Sequence, residues 1–124
     1  MRFRPEQHLR RPAEIRAVRE LGRRVDARAF TLWWRERELA EAGAAVGPTG
    51  SRVCVIASGK AVGRAVRRNR AKRRLRELFR CQQQGVPPRC DVVLVARAGA
   101  ADWPMAELQA RFTDACARIA PPVE

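Results

Sequence analysis

Apolar residues at helical spacing predict a helix near each end of the chain. Pro12 suits the first turn of a helix, and Gly22 is typical of the position just after a helix ends. Between them, apolar residues recur at a spacing of three, as Ile15, Val18 and Leu21. A second helix is predicted to start at Pro104 and to end before Pro121, with one apolar stripe formed by Met105, Leu108, Phe112, Ala115, Cys116 and Ile119.

Three apolar runs between these helices predict strands. The first, residues 25–34, ends in β-branched and aromatic side chains that alternate between two faces, so that Phe30 and Trp33 point in opposite directions. Residues 52–58 and 91–96 are continuous apolar runs of strand length, as in the interior of a sheet. A basic segment separates these two. The order helix, two or three strands, helix, strand, helix predicts an α+β fold with helices packed on a small sheet.

Length and composition predict a single domain over residues 1–124, because 124 residues with 46% hydrophobic side chains can bury one modest core. We expect residues 1–8 and 120–124 to be flexible, and residues 40–51, which are mostly small, to form a loop. No apolar run approaches the roughly 20 residues that span a bilayer, and no apolar stretch of a signal peptide follows the basic N-terminus. We therefore predict a cytoplasmic protein without membrane contact.

The distribution of charge points to a polyanionic partner. The chain has 26 basic and 13 acidic residues, a net charge of +13, and all its basic residues except Lys60 and Lys72 are arginines. Residues 60–80 contain ten basic residues and one acidic residue, Glu77, and so hold +9 of that charge. Such concentration indicates a phosphate-binding surface. The alternative, a solvated basic face without a partner, is less favoured because like charges three or four residues apart destabilise a helix.

A helical wheel separates the basic segment into two faces. The apolar residues that fall together, and that we expect to pack on the sheet, are Ala71, Leu75, Leu78 and Phe79. The opposite face consists of Asn69, Lys72, Arg73, Arg76 and Arg80. Val62 and Val66 do not join the apolar face, and we expect both to pack at the crossover from strand to helix.

Metal and catalytic chemistry have little support in the sequence. No two of the four cysteines, Cys54, Cys81, Cys90 and Cys116, have Cys-x-x-Cys spacing, and the single histidine is His8, so a zinc site is not predicted. We expect Cys54 and Cys116 to be small core residues, whereas Cys81 and Cys90 flank a loop and could approach each other. The carboxylates are scattered without a metal-binding or acid–base cluster, so we predict no catalytic residue in the protein.

The basic segment resembles the RNR signature of the ribonuclease P protein family. The matching residues are Lys60-Ala-Val-Gly63, Ala65-Val66 and Arg68-Asn69-Arg70-x-Lys72-Arg73-x-x-Arg76-Glu77-x-Phe79. The resemblance extends over nearly the whole chain, through Leu9-Arg10, Gly22-Arg23-Arg24, Phe30-x-Leu32-aromatic, Arg52-Val53 and the strand from Asp91 to Arg97. An arginine-rich helix alone would be weak support, whereas this helix between strands in this order is specific.

The resemblance implies a fold and a division of labour. The fold is a four-stranded sheet with three helices in the order α-β-β-β-α-β-α, ribosomal-protein-like, with a left-handed β-α-β crossover against the usual handedness. In the family, an RNA subunit with magnesium removes the 5′ leader of precursor tRNA, and the protein binds both RNAs without a small-molecule cofactor. A non-catalytic architectural RNA-binding protein of ribosomal type is the main alternative. A protein-only nuclease is less favoured because the chain lacks an acid–base cluster.

The resemblance also implies which residues contact RNA. Arg68, Asn69, Lys72, Arg73 and Arg76 match positions of the RNR face, and Lys60 matches the lysine before the helix. We add Arg64, Arg67 and Arg70 from the same segment to the predicted contacts with ribonuclease P RNA, and expect Asn69 to lie near magnesium bound by that RNA.

Contacts with the 5′ leader are expected from the first helix and the sheet. Ile15 and Arg19 stand where the family usually has aromatic residues, so we expect this helix to act through charge more than stacking. Arg24 is a further predicted contact. We predict that Trp33 is a stacking platform for single-stranded bases. The alternative is a tryptophan buried beneath the first helix.

Overall fold

A four-stranded sheet forms the centre of the structure, a computed structural model that describes residues 9, 11–36, 51–82 and 90–119. Its strands are β1 (Arg23–Asp26), β2 (Phe30–Glu36), β3 (Arg52–Ile56) and β4 (Cys90–Ala96). The helices within these residues are α1 (Pro12–Leu21), α2 (Gly59–Val62), α3 (Ala65–Gln82), α4 (Gly99–Asp102) and α5 (Met105–Ile119). The α+β class expected from the order of elements is therefore confirmed.

The sheet is mixed, with the strand order β1-β2-β4-β3. Strand β2 pairs antiparallel with β1 and β4, and β3 pairs parallel with β4. Because parallel strands need a crossover connection, the chain must leave one end of β3 and return to the other end of the sheet, and α2 and α3 lie in that connection. The left-handed sense of the crossover stays a prediction.

The two faces of the sheet are covered by different helices. The face that we call the core face carries Phe30, Leu32 and Leu94, and packs with α3 and α5 in the main hydrophobic core. The face that we call the cleft face packs with α1 and carries Trp33, Cys54, Ile56, Val93 and Val95. Val93 is fully buried there, whereas the other four side chains are only partly buried, because the ten residues of α1 leave part of this face uncovered.

The predicted strand over residues 25–34 is instead a hairpin. Strands β1 and β2 pair through a tight turn at residues 27–29, in which Arg28 has a left-handed backbone with φ 68°. Glycine or asparagine usually occupies such a position, and residues 27–29 contain neither. The turn residue is Asp26, whose carboxylate accepts a hydrogen bond from the Arg28 amide at 2.8 Å, and a single aspartate is too weak a signal to divide the strand. The hairpin still leaves Phe30 and Trp33 on opposite faces, as expected.

The crossover also differs in detail from the prediction. Val62 is buried as expected, but Val66 is 74% exposed, so its predicted packing is wrong. Gly63, with φ 120°, ends α2 and redirects the chain, and the first turn of α3 then carries Val66 into solvent. The two four-residue helices, α2 and α4, were not predicted because such short elements have no periodicity to detect.

Some expectations fall on residues outside the described ranges. These are the flexible termini at 1–8 and 120–124 and residues 40–50 of the predicted loop. The four cysteines are free thiols: Cys90 and Cys116 are buried, Cys54 is partly buried and Cys81 is exposed. Among the helices described, none combines the length and the hydropathy needed to cross a membrane.

Candidate nucleic-acid interface

Helix α3 is fixed to the core by a narrow apolar stripe. The residues of this stripe, Ala71, Leu75, Leu78 and Phe79, are all fully buried, as the helical wheel predicted. Burying each of the larger side chains contributes about 1.5–3 kcal/mol. Because one side of the helix is firmly held, the remaining side chains extend toward solvent from fixed backbone positions. Asn69, Arg70, Arg73 and Arg76 are exposed, and Arg68 and Lys72 are partly buried.

The corner between α2 and α3 presents two further cations. The Ser58 hydroxyl caps α2 by accepting a hydrogen bond from the Ala61 amide at 3.1 Å. Gly63 then turns the chain in a left-handed backbone conformation that disfavours other residues. Lys60 and Arg64, on either side of this turn, are both exposed. The corner therefore extends the basic face of α3 beyond the first residue of the helix.

Arg67 has internal partners that the sequence did not predict. Its Nε donates to the Val62 carbonyl at 2.8 Å, and its two terminal nitrogens donate to the Asp102 carboxylate at 2.6 and 2.7 Å. These hydrogen bonds lower the pKa of Asp102 below its usual value. Arg67 thus joins the end of α2 to α4, across the first turn of α3.

Arg74, two helical turns further on, also binds α4. Its guanidinium donates to the Ala100 carbonyl at 3.1 Å and to the Trp103 carbonyl. Burial, followed by the nearby charge of Arg70, lowers the pKa of Arg74, although an arginine remains protonated. Arg67 and Arg74 together fasten one flank of α3 to the segment after β4.

The acidic residue of α3 is also paired. Arg80 donates two hydrogen bonds to Glu77, one of them from Nε at 2.9 Å. This pairing lowers the pKa of Glu77 from 4.5 to about 2 and raises that of Arg80. Arg80 lies on the predicted polar face of α3, but its charge is partly neutralised there. Glu77 does not neutralise the arginines nearer the N-terminus of the helix.

Seven basic residues of the segment form no salt bridge within the described part of the chain. These residues, which we call the open cations, are Lys60, Arg64, Arg68, Arg70, Lys72, Arg73 and Arg76. In Arg68, the Nε atom is buried and has no hydrogen-bond partner among the described residues. Buried donors are nearly always satisfied, so this nitrogen is an exception among the described residues. The positive charges of the open cations are therefore not neutralised by acidic side chains among the described residues.

The cleft face brings together the four residues predicted to contact the leader. Trp33 is partly buried, with the guanidinium carbon of Arg19 at 5.3 Å and that of Arg24 at 5.8 Å from its ring centroid. Both distances allow cation–π attraction. Ile15 packs in the same cluster from α1. The ring is therefore neither fully buried nor bare.

Sequence reasoning missed three other residues of this cleft: Cys54, Ile56 and Val95. The sequence does contain a pattern that identifies them, because the two-residue period of β3 and β4 places all three on the same face as Val93. The register of the sheet was also needed, since it pairs Trp33 with Val93, and Val93 with Cys54.

A buried ion pair positions α1 over the cleft face. Arg52 donates two hydrogen bonds to Asp91, at 2.9 and 2.8 Å, and one to Glu14 of α1 at 3.0 Å. Asp91 is 2% exposed, so its charge requires this partner. The bonds to Asp91 are the main reason that the pKa of Arg52 is raised. Arg52 therefore connects β3, β4 and α1, and fixes one wall of the cleft.

The open cations and the cleft meet at strand β3. Burial raises the pKa of the Cys54 thiol, and the charges of Arg76 and Lys72 partly oppose that rise. Helix α3, which carries both cations, contacts β3, the edge strand to which Cys54 belongs. The residues predicted to bind two different RNA segments therefore form neighbouring parts of one surface.

The described residues do not offer a metal site of their own. No group of three or more His, Cys, Asp or Glu side chains among them is placed to hold an ion. Magnesium prefers carboxylate and phosphate oxygens, and the basic surface supplies neither. Asn69 is exposed on the basic face and offers a single amide oxygen. These residues do not fit a protein-bound magnesium ion.

Sequence comparisons with known proteins all point to one family. Residues 3–120 match the family model for ribonuclease P. The chain is 33% identical to the ribonuclease P protein component of Coxiella burnetii over 100 residues, covering 81% of this chain and 74% of that protein. It is 32% identical to the component from Acidothermus cellulolyticus over 111 residues, covering 90% of this chain and 86% of that protein.

Solved structures show the same fold. The RNase P protein of Thermotoga maritima matches with a TM-score of 0.73 at 22% identity, over 92% of this chain and 98% of that one. The RNase P protein of Staphylococcus aureus matches with a TM-score of 0.70 at 23% identity, over 91% and 94%. Together with the sequence matches, they establish that the chain belongs to the ribonuclease P protein family, the protein components of an endoribonuclease that acts in tRNA processing.

Proposed function

We propose that this chain binds ribonuclease P RNA through the open cations and the 5′ leader of precursor tRNA through the cleft. In this role it supports removal of the leader and formation of mature tRNA 5′ ends. The observation that carries the proposal is the set of seven open cations on and beside a helix whose opposite side is buried. Phosphodiester cleavage is assigned to the RNA with magnesium, because no group of three or more His, Cys, Asp or Glu side chains among the described residues is placed to hold a metal ion.

The assignment of the open cations to a folded RNA rests on charge and rigidity. Five of the seven are arginines, and arginine presents a planar fork of donors that suits phosphate oxygens. A rigid helix holds the Cα atoms of most of these residues at fixed spacing, so little backbone ordering is needed on binding. Arg67 is assigned a supporting role instead, because each of its three guanidinium nitrogens already donates a hydrogen bond to Val62 or Asp102.

We assign the cleft to a single-stranded RNA segment because both apolar and cationic side chains line it. Trp33, Ile56 and Val95 offer partly exposed apolar surface against which unpaired bases can pack. Arg19 and Arg24 stand over the Trp33 ring and can reach phosphates of the same strand. A base that stacks here would meet either the free part of the indole or a guanidinium plane. The substrate is a precursor tRNA, and a cytoplasmic location follows from that substrate.

Reconstitution tests the proposal. The purified chain is combined with a bacterial ribonuclease P RNA, and cleavage of a precursor tRNA is followed at low magnesium. We expect the chain to raise the cleavage rate of the RNA and to shift its magnesium requirement downward. An architectural RNA-binding protein would bind RNA but leave the cleavage rate unchanged, and that result would contradict the proposal.

The cleft is tested by comparing precursor tRNA with mature tRNA that lacks a leader. Trp33→Ala is expected to weaken binding of the precursor by about tenfold, since stacking of one base is worth about 1–3 kcal/mol, and to leave mature tRNA unaffected. Trp33→Phe, which keeps an aromatic ring, is the matched control and should lose less. Equal affinities of all three proteins for the precursor would remove Trp33 from the leader site.

A further inference from the structure

A cavity lined by described residues lies away from both predicted RNA contacts. It has a volume of about 500 Å³ and separates the β1–β2 turn from α5. Its lining consists of Val25, Asp26, Ala27, Arg28, Arg111, Asp114, Ala115 and Arg118. Strand β1 is one edge of the sheet, whereas β3, which borders the open cations, is the other edge. On α5, Gln109 and Thr113 contact Gln82 of α3, so a different side of α5 lines the cavity.

The carboxylates of this cavity already have cationic partners. Asp26 lies 3.3 Å from Arg97 and accepts a hydrogen bond from the Arg28 amide at 2.8 Å. Asp114 lies 3.3 Å from Arg118, on the next turn of α5. The guanidinium groups of Arg28 and Arg111 form no salt bridge with any described residue. The cavity therefore presents two uncompensated positive charges, one from each wall.

The backbone of Arg28 has a conformation that is unusual for a residue with a side chain. Its φ of 68° lies in the left-handed region, which costs a residue with a Cβ roughly 1–2 kcal/mol, and glycine would avoid that cost. The hydrogen bond from the Arg28 amide to Asp26 supports this conformation, and the exposed Arg28 side chain extends from the tip of the turn. Arg111 is held over the Trp103 ring at 5.8 Å, which limits the directions in which its guanidinium can point.

We propose that this cavity is a second anchoring site for the RNA partner and binds a backbone phosphate between Arg28 and Arg111. A volume of about 500 Å³ is within the range of ligand-sized pockets and admits a phosphate together with its sugar. The lining contains no aromatic ring on which a base could stack, so it suits the backbone and not the base. The inference rests on the proposed function, and it assigns the RNA a second contact on the far side of α5.

Arg28→Gly is the most informative variant because it separates folding from binding. Glycine relieves the left-handed backbone, so the melting temperature should stay the same or rise, while the guanidinium is removed. Affinity for a bacterial ribonuclease P RNA is measured from 50 to 200 mM KCl for this variant, for Arg111→Ala, and for Arg16→Ala. Arg16 is an exposed arginine of α1 outside both residue sets and serves as the charge-matched control.

Each cavity variant is expected to bind RNA more weakly and with a shallower dependence on salt. The slope of log affinity against log salt should decrease in magnitude by about 0.7–0.9 for each phosphate that the variant no longer binds. Hydroxyl-radical footprinting should show reduced protection in an RNA segment that Arg73→Ala leaves protected. Unchanged affinity and slope in both Arg28→Gly and Arg111→Ala, with weakened binding by Arg73→Ala, would overturn this inference alone. Full RNA affinity in Arg28→Gly, Arg111→Ala and Arg73→Ala alike would contradict the proposed function as well.

Inorganic phosphate distinguishes an RNA phosphate from a free anion. If the cavity serves RNA, phosphate should compete weakly for wild-type binding and have a smaller effect on Arg28→Gly. A rise in melting temperature with phosphate that disappears in Arg28→Gly, combined with unchanged RNA affinity in that variant, would show a free-anion site and overturn the assignment to RNA.

Discussion

The arginines of α3 fall into two groups that share a helix but have different surroundings. Arg67 and Arg74 donate to Asp102 and to carbonyl groups at the end of α4. Arg73 and Arg76 are exposed and form no salt bridge with the described residues. The comparison shows that a basic helix needs part of its charge to hold itself in place. Only the remaining charge is available for a partner, so equal substitutions in the two groups should have opposite consequences.

Removing charge from the open group should give the largest effect on binding. We expect Arg73→Ala with Arg76→Ala to reduce affinity for ribonuclease P RNA by about 100-fold at roughly 0.15 M salt, because each charge-assisted hydrogen bond is worth about 1.5–3 kcal/mol. The melting temperature should not fall, since the two residues repel each other at a spacing of three. Filter binding and thermal unfolding measure the two quantities. If the double variant lost both its fold and its RNA binding, the open arginines would not differ from Arg67 and Arg74 in their role.

Arg74→Ala should do the reverse and destabilise the fold. The carbonyl groups of Ala100 and Trp103 would lose their donor, at a cost of about 1–3 kcal/mol in the free energy of unfolding. Because this side chain faces α4, RNA affinity of the folded fraction should change by less than about threefold. Urea unfolding gives the stability, and Arg73→Ala is the matched control within the same turn. A binding loss as large as that of the control would move Arg74 to the open group.

Asp102→Asn should have a smaller effect than Arg74→Ala. It removes the carboxylate that binds Arg67 and leaves Arg67 itself unchanged. If Arg67 only supports α3, the variant should unfold at a slightly lower temperature and bind RNA as before. If Arg67 instead binds RNA directly, removing its competitor should strengthen binding and steepen the salt dependence. Arg67→Gln should weaken RNA binding strongly if Arg67 contacts RNA directly, and only a little if Arg67 only supports α3.

The smallest effect concerns pH and the Glu77–Arg80 pair. The folded pKa of Glu77, about 2, is below its ordinary value of 4.5, so the pair contributes stability above about pH 4.5 and loses it as the pH falls toward 2. The contribution is small because both side chains are partly exposed to solvent. Glu77→Gln should therefore unfold slightly more easily than wild type at about pH 6 and equally near pH 2. A difference that grows as the pH falls would contradict the pairing.

Local periodicity was sufficient to predict the buried and exposed sides of α3. The apolar stripe and the exposed arginines follow from the helical repeat, and both were confirmed. Periodicity could not predict the partners of Arg67 and Arg74. Apart from Val62, those partners lie 26 to 35 residues further along the chain, in and beside a four-residue helix that has no pattern of its own. Tertiary packing alone brings them together.

The cleft shows the same limit for a sheet. Alternation correctly placed Trp33 opposite Phe30, but the neighbours of Trp33 depend on the register of β2 with β4 and on the position of α1. That position depends on Arg52, Asp91 and Glu14, and Arg52 stands 39 residues from Asp91 and 38 from Glu14. No local pattern marks such a triad. The missed hairpin turn at Arg28 has a different cause, because the residue itself is unusual for its backbone conformation.

Salt dependence of binding tests the central claim most directly. The affinity of the wild-type chain for a ribonuclease P RNA, measured from about 50 to 200 mM KCl, should fall with a slope of about −5 to −6 in log–log form if the seven open cations each meet a phosphate. The Arg73→Ala, Arg76→Ala double variant should give a slope shallower by about 1.5. A wild-type slope near about −1, or an identical slope in the double variant, would show that these side chains do not bind RNA.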